Sequence, residues 1–206
     1  MTELTEEKLE IIPLPPNIKP PPSSIIIGRF QPLHRGHIAL IEWAYEQKNS
    51  EPLRIVIGSS NRIQSPDNPW SWEERKDMIE TWLERIHPEW NIEILAIPDI
   101  NNPPLWVEHA SKYHGDSGLL LTSDKDTQNL YEKSNWDTKF FELHNRDSFE
   151  GWRVRETCKM LSTVKEIDSV KIILSETIHE SVIDWLLQKD HIRRMPFLGP
   201  SVEYVG

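Results

Sequence analysis

The chain has 206 residues and a formal net charge of -10 at pH 7, with 37% hydrophobic and 27% charged residues, which is typical of one globular domain. The acidic balance argues against a nucleic-acid binder, since phosphate neutralisation needs a basic face, and no apolar stretch has the length of a membrane span. The single cysteine, Cys158, excludes an intramolecular disulfide, and we expect a cytoplasmic protein that does not bind membranes.

The first 23 residues are predicted to form an arm. They join a short acidic segment to the stretch PLPPNIKPPP, and repeated prolines fix φ and favour an extended path. We therefore predict an arm over residues 1–23 and a single domain over residues 24–206. The sequence leaves open whether the arm lies on a neighbouring subunit, binds a partner or moves freely.

Beyond the arm, short β-branched runs alternate with longer amphipathic stretches, a pattern typical of βα units and a parallel sheet. Strands are predicted at residues 24–27, 53–57, 92–97, 118–121 and 140–143. Helices are predicted at residues 37–48, 72–86, 106–114, 126–132, 153–161 and 178–188. The fold class is therefore predicted to be α/β.

The stretch GRFQPLHRGH, residues 28–37, joins the first predicted strand to the first predicted helix. In open α/β sheets ligands bind beyond the carboxyl ends of the strands, and a helix N-terminus there presents free N–H groups to an anion. Gly28 and Gly36 permit tight turning and close backbone approach. The stretch also carries four side chains suited to phosphate oxygens: Arg29, His34, Arg35 and His37.

Residues 34–37 form an HxGH motif, and GRFQPLHRGH resembles the opening of the archaeal-type nicotinamide mononucleotide adenylyltransferases. NPWSWEER at residues 68–75 is similar to the NPFTAGER segment of that family. IPDINN at 97–102 and LWVEH at 105–109 resemble its PDINN and LWVxH elements. The resemblance implies a Rossmann-like nucleotidylyltransferase fold, with a parallel sheet and helices on both faces, for the domain at residues 24–206.

The resemblance also implies a reaction. Enzymes of this family transfer AMP from ATP to nicotinamide mononucleotide and form NAD and pyrophosphate without a covalent enzyme intermediate. The reaction is a step of NAD biosynthesis, and Mg²⁺ bridges the ATP phosphates in it. The family commonly assembles into homo-oligomers, so we expect a homo-oligomer here.

By the same resemblance, site residues can be assigned. The expected catalytic residues are His34, His37, Arg29 and Arg155. The expected substrate-binding residues are Gly28, Phe30, Gln31, Gly36, Asp99, Asn101, Trp106, Ser123, Gly151 and Trp152. Trp106 would stack on the cationic nicotinamide ring, and Asp99 and Asn101 would line the mononucleotide pocket. No protein ligand to the metal is predicted.

The segment EGWRVR at residues 150–155 departs from the SGTxVR form of the family. Glu150 and Trp152 stand where two hydroxyl side chains would grip the distal phosphates of ATP. A carboxylate among triphosphate oxygens is repulsive unless a metal or Arg153 compensates. Asp67 likewise replaces an arginine that the family often has before the NPW turn, a role that Arg62 could take.

These departures leave alternatives open. The chain could be a nucleotide-binding sensor or regulator with weak or no transferase activity, or a nucleotidylyltransferase with another donor or acceptor. Trp152 could stack on a base or pack against the last helix. Cys158 is expected to pack in the core, and His114 to lie favourably at the negative end of a helix dipole.

Overall fold

The computed structural model describes residues 10–49, 52–144 and 146–199. Its five strands form one sheet in the order β3-β2-β1-β4-β5, and all paired strands are parallel. The strands are β1 (Ser23–Gly28), β2 (Leu53–Ile57), β3 (Ile92–Ala96), β4 (Gly118–Thr122) and β5 (Asp137–Phe140). Because β1 pairs with both β2 and β4, the strand order reverses beside β1, which is where such sheets bind ligands.

Helices follow the strands in chain order. They are α1 (Arg35–Gln47), α2 (Trp72–Ile86), α3 (Trp106–His114), α4 (Lys125–Glu132), α5 (Gly151–Leu161), α6 (Ile167–Leu174) and α7 (Glu180–Gln188). Short 3₁₀ turns occur at Pro103–Leu105, Arg146–Phe149 and Met195–Phe197. A capping box starts α2, since the Ser71 hydroxyl accepts from the Glu74 amide and the Glu74 carboxylate accepts from the Ser71 amide.

The sheet is apolar on both faces, as expected of parallel strands covered by helices. On β1, Ile26 packs into the core under α1, α2, α5, α6 and α7, whereas its neighbour Ile25 packs into the core under α3 and α4. On β4, Leu119 and Leu121 belong to the first core and Leu120 to the second. The alternation confirms the predicted α/β fold with helices on both faces.

Two elements differ from their sequence predictions. The fifth strand was predicted at residues 140–143 but lies at Asp137–Phe140. This strand is a polar sheet edge, so its apolar residues do not mark it, and the Phe140–Phe141 pair shifts the prediction towards the C-terminus. Helix α6 was not predicted, because its exposed side carries Ile167, Ile172 and Ile173, which hides the amphipathic pattern.

Two further predictions concern buried side chains. Cys158 is fully buried in the larger core, as expected, and burial raises the pKa of its thiol to about 12. His114 ends α3, as expected, but its predicted interaction with the helix dipole was wrong. Its ring is buried between the Gly115 carbonyl and the Tyr131 hydroxyl, 2.9 and 2.8 Å from its nitrogens, and burial lowers its pKa to about 4. A neutral ring has no charge to place at the end of the helix.

The described part of the arm, residues 10–22, runs along the outside of α3 on the domain of its own chain. Strand β1 begins directly after it, at Ser23. The division at residue 23 into arm and domain stays a prediction. Among the described helices, none is long and apolar enough to cross a membrane.

Candidate active site

A cavity of about 600 Å³ opens at the carboxyl edge of the sheet, above β1 and β4. Most of its wall comes from the loop after β1, the turn after β2, the loop after β3 with the start of α3, the turn after β4, and the segment leading into α5 with the first turn of that helix. These segments are far apart in sequence and meet because parallel strands bring their carboxyl ends to one edge. The cavity therefore lies where the sequence predicted the ligand site.

Most of the predicted site residues line this cavity. They are Gly28, Arg29, Phe30, Gln31, His34, Gly36, His37, Asp99, Trp106, Ser123, Gly151, Trp152 and Arg155. Asn101 is outside the lining set; it is exposed, has a φ of 50°, and its side-chain oxygen accepts from Arg62. The roles assigned to these residues in binding and catalysis stay predictions.

His34 and His37 form a stacked pair at the start of α1. His34 is the N-cap residue, and its Nδ1 accepts a hydrogen bond of 3.3 Å from the His37 amide. The ring centroids lie 3.7 Å apart with an interplanar angle of 19°. The His-x-x-His spacing thus caps the helix and places both rings at its N-terminus, the positive end of the helix dipole.

The electrostatics of the pair follow from burial. Desolvation lowers the pKa of His34 from 6.5 to about 4, and the nearby Arg155 adds to this. The pKa of His37 is also lowered well below 6.5, by burial, by His34 and by Arg29. The Nδ1 of His37 is buried without a hydrogen-bond partner. Both rings are therefore neutral at pH 7, and an anion entering the cavity would favour their charged forms.

Glycine at position 36 allows close packing around the histidines. A Cβ on Gly36 would lie 2.9 Å from the Phe149 Cβ and 3.1 Å from a Leu143 methyl group. Both neighbours line the cavity, and Phe149 stacks on His34 with ring centroids 6.3 Å apart. A side chain at position 36 would push this wall away from the histidine pair.

Two arginines place positive charge on the cavity. Arg29 is exposed and lines it, whereas Arg155 is buried and donates a hydrogen bond of 3.0 Å to the Gln31 carbonyl. Burial lowers the pKa of Arg155, and Arg29 lowers it further. The third candidate, Arg35, lies elsewhere: its Nε donates to the Ser175 carbonyl at 3.0 Å, outside the lining residues.

Gln31 joins the loop after β1 to the NPW turn. Its side-chain amide accepts from the Trp70 amide at 3.2 Å, donates to the Trp70 carbonyl at 2.7 Å and also donates to Asn68. The amide oxygen and the amide nitrogen of Gln31 are both bonded to protein groups. The side chain therefore orients the loop and has little capacity left to bind a ligand. The Gln31 carbonyl accepts from Arg155 and so also connects the loop to α5.

Sequence reasoning did not identify Arg75 as a site residue. Its fully buried guanidinium donates to the Arg29 and Gly58 carbonyls, both at 2.8 Å, and to the Ser59 carbonyl at 3.1 Å. These contacts hold together the carboxyl ends of β1 and β2. The sequence does indicate that this arginine is buried, because Arg75 precedes the buried Met78 by three residues and so lies on the apolar face of α2.

The wall near α3 combines a carboxylate with an aromatic ring. Asp99 and Trp106 both line the cavity there, and Trp106 is half-buried at the first position of α3. The Arg62 Nε donates to the Asp99 carboxylate at 2.9 Å. Arg62 therefore neutralises Asp99 and does not take the place of an arginine at position 67. Asp67 itself lies 3.8 Å from the Arg155 guanidinium.

The first turn of α5 forms another wall of the cavity. The Trp152 ring is 53% exposed, so it does not pack against the last helix. Its Nε1 donates to the Glu150 carboxylate at 2.5 Å, and the Arg153 guanidinium lies 4.9 Å from the ring centre. Arg153 also lies 3.4 Å from the same carboxylate. The three side chains form a small neutralised cluster where the family places hydroxyl groups.

Other lining residues lie outside the expected catalytic and substrate-binding sets. Besides Glu150, they include Gly58, Ser59, Thr122, Asp124, Thr127 and Phe149. Thr122 and Asp124 surround Ser123 after β4, and the Asp124 carboxylate caps α4 by accepting from Asp126 and Thr127. Position directly after a predicted parallel strand is the signal that would have found Gly58, Ser59 and Thr122.

Acidic side chains do not gather into a metal site here. Within residues 10–49, 52–144 and 146–199, no group of three or more His, Cys, Asp or Glu side chains could hold an ion.

Known proteins resemble the chain over most of its length. The Cytidylyltransferase-like family profile matches residues 25–191. The nicotinamide-nucleotide adenylyltransferase of Thermoplasma volcanium is 27% identical over 182 residues, which cover 88% of this chain and 95% of that protein. The enzyme of the same name from Methanococcus maripaludis is 30% identical over 140 residues, or 67% and 77% of the two chains.

Solved structures share the fold. A bifunctional NMN adenylyltransferase/ADP ribose pyrophosphatase from Francisella tularensis matches with a TM-score of 0.60 and 21% identity, covering 87% of this chain and 57% of that one. Its complex with AMP and a Mn ion matches with a TM-score of 0.56 and 20% identity, covering 82% and 52%. The chain thus spans just over half of that protein. With residues 25–191 matched by its profile, the chain belongs to the cytidylyltransferase-like family.

Proposed function

We propose that this protein transfers AMP from ATP to nicotinamide mononucleotide, forming NAD and pyrophosphate. The observation that carries the proposal is the stacked His34–His37 pair at the N-terminus of α1, beside the exposed Arg29 and open to the cavity. Relatives named nicotinamide-nucleotide adenylyltransferase support it, since the match covers 95% and 77% of two of them.

The reaction needs positioning and charge stabilisation more than covalent help from the protein. A phosphate oxygen of the mononucleotide attacks the α-phosphorus of ATP, the bond from that phosphorus to the oxygen bridging to the β-phosphate breaks, and pyrophosphate leaves. Negative charge on the transferring group would be met by the positive end of the α1 dipole, by Arg29, and by His34 and His37 as donors. The stacked rings are already oriented by the helix cap.

The acceptor is proposed to bind near α3. The indole of Trp106 would attract the positively charged nicotinamide ring, and the Asp99 carboxylate would accept hydrogen bonds from ribose hydroxyl or carboxamide N–H groups. The adenosine of ATP would lie on the other side, against Thr122, Ser123 and Phe149. His34, His37 and Arg29 would then lie between the two nucleotides.

A divalent cation, Mg²⁺ in this proposal, would be held chiefly by the phosphates of ATP. The acidic side chains on the cavity are already engaged: Asp99 with Arg62, Asp124 with the amides that begin α4, and Glu150 with Trp152. Magnesium commonly binds through substrate phosphates with few protein ligands. When bound, it offsets the charge of the leaving pyrophosphate.

The test is pyrophosphate release by the purified protein with ATP, Mg²⁺ and nicotinamide mononucleotide, with CTP and GTP as competing donors. We expect turnover with ATP that collapses in His34→Asn, a variant chosen because Asn retains an N-cap acceptor. Binding of both nucleotides without release from any donor would overturn the proposal and favour a sensor. Light scattering of the same sample would test the expected homo-oligomer.

A further inference from the structure

The N-terminal arm is attached to the domain through its backbone carbonyls. Near the amino edge of the sheet, the Arg54 guanidinium donates to the Pro21 carbonyl at 2.7 Å. Beside α3, the Tyr113 hydroxyl donates to the Pro13 carbonyl at 3.0 Å. Residues 13–21 therefore span the depth of the sheet and bring residues 10–12 to its carboxyl edge, where the cavity lies.

Burial does not hold this segment in place. Its apolar side chains are largely in solvent, with Ile12, Leu14 and Ile18 exposed by 52%, 76% and 85%. Proline lacks an N–H group but keeps its carbonyl as an acceptor, so a proline-rich chain can be fixed by donors on the surface beneath it. The donors are supplied by the domain, and this gives the arm a defined path.

At the carboxyl edge the arm meets the turn after β2. The Ser60 hydroxyl donates to the Ile12 carbonyl at 2.8 Å, and the Asn61 side-chain amide donates to the Glu10 carbonyl at 2.8 Å. The preceding residue, Ser59, lines the cavity with a φ of 54°. A non-glycine residue holds this conformation only when its surroundings fix it.

Asn61 links the arm to Asp99. Its amide nitrogen donates to the Asp99 carbonyl at 3.0 Å, and its oxygen accepts from the Asp99 amide at 2.8 Å. One side chain therefore bonds both backbone groups of Asp99 and the carbonyl of Glu10. Asp99 lines the cavity on the Trp106 side, so a single residue separates the arm from that wall.

We propose that residues 10–13 of the arm are a positioning element for the mononucleotide side of the site. The arm acts first on Ser60 and Asn61, which bond its carbonyls and lie beside the cavity lining. These two residues in turn hold their neighbours Ser59 and Asp99, which line the cavity. These contacts reach the turn after β2 and helix α3, whereas the proposed adenosine side is formed by the turn after β4 and by Phe149. The effect is therefore specific to one substrate. The identity of that substrate rests on the proposed function.

The first test compares two truncations. Removal of residues 1–13 deletes the Glu10, Ile12 and Pro13 carbonyls, whereas removal of residues 1–9 retains them and is the control. Calorimetry is run on each protein with nicotinamide mononucleotide and, separately, with ATP. We expect the longer truncation to raise the Kd of the mononucleotide about three- to tenfold, as for the loss of one or two hydrogen bonds, with the Kd of ATP unchanged.

Single variants test whether the effect passes through the stated contacts. Tyr113→Phe removes only the hydroxyl that bonds the arm, and Ser60→Ala removes the donor to Ile12. In the full chain each should weaken mononucleotide binding by a smaller factor. In the chain lacking residues 1–13 neither should have any further effect, because the partner is already absent. If a melting experiment shows that the truncated chain does not fold, mononucleotide binding by the two full-length variants still tests the proposal.

Several results would overturn the inference. Unchanged mononucleotide binding after removal of residues 1–13, equal weakening of both ligands, or persistence of the Tyr113→Phe effect in the truncated chain would each do so. The outcome is separable from that of the proposed function, because binding is measured without turnover. Arm-dependent mononucleotide binding without pyrophosphate release would overturn the transferase activity alone, and absence of mononucleotide binding by the full chain would overturn both.

Discussion

The loop after β1 and the first turn of α5 form adjacent walls of one cavity, yet they are built differently. In the loop, His34 is 5% exposed and neutral, and the rings of His34 and His37 are stacked on a helix N-terminus. In the α5 turn, Trp152 is half exposed and donates a hydrogen bond to the Glu150 carboxylate, whose charge is matched by Arg153. The first wall is rigid and preorganised, whereas the second is a solvated cluster.

Under the proposed function, we expect this difference to separate two tasks of the site. Preorganised donors affect the step in which charge develops on the transferring phosphoryl group, whereas contacts to the distal phosphates mainly affect how tightly ATP is held. The hydrogen bond from Arg155 to the Gln31 carbonyl joins the two walls. We therefore expect substitutions in the loop to act mainly on kcat, and substitutions in the α5 turn to act mainly on the KM for ATP.

The largest effect is expected from the histidines. His34→Asn keeps a cap acceptor for α1 but removes the imidazole, and His37→Asn removes the second ring. We expect each change to lower kcat by about 10²- to 10⁴-fold, the usual range for loss of a donor to a developing charge or of a proton-transfer group. Steady-state pyrophosphate release measures this. A loss confined to KM would show that the loop serves binding only.

The next effect distinguishes the two arginines of the motif. Arg29 lines the cavity, whereas Arg35 donates to the Ser175 carbonyl and points away from it. Loss of a hydrogen bond to a charged group costs about 1.5–3 kcal/mol, so Arg29→Ala should lower kcat/KM by about 10- to 150-fold. Arg35→Ala is the matched control from the same motif and should retain activity. Equal losses in both variants would contradict the placement of these side chains.

The burial of the loop should also be visible as a pH dependence of stability. The pKa of His34 is about 4 in the folded protein and about 6.5 when unfolded, so protonation favours the unfolded chain. The contribution of neutral His34 to the free energy of unfolding is therefore complete above about pH 6.5 and is lost as the pH falls towards 4.

At about pH 5, this group should therefore destabilise the wild type by about 2 kcal/mol relative to pH 7. His34→Asn lacks this loss, so its free energy of unfolding should change less over that range. Urea titrations of both proteins at the two pH values measure the difference, and parallel pH profiles would show that His34 is solvated. His114 and His191, whose lowered pKa values do not depend on His34, contribute equally to both profiles and cancel.

The sequence was most informative where local chemistry determines structure. The βα alternation predicted the central strands and most helices, and the motif placed His34, His37 and Arg29 at the cavity, since position after a parallel strand determines where a loop lies. The sequence was uninformative where contacts between distant parts of the chain determine the position of a side chain. The turning of Arg35 towards Ser175 and the buried contacts of Arg75 depend on elements distant in the chain, which a local pattern does not encode.

The smallest effect, a change in the KM for ATP, is expected from a substitution in the first turn of α5. Glu150→Gln removes a negative charge at the cavity and keeps an oxygen to accept from the Trp152 Nε1. Because the carboxylate is partly neutralised by Arg153 and open to solvent, its repulsion of triphosphate is screened, and we expect the KM for ATP to fall only about three- to tenfold. Glu156→Gln, an exposed acid on the same helix outside the cavity lining, is the control and should leave KM unchanged. A rise in KM after Glu150→Gln would instead show that the carboxylate takes part in holding the nucleotide, and the α5 turn would then be a second preorganised wall.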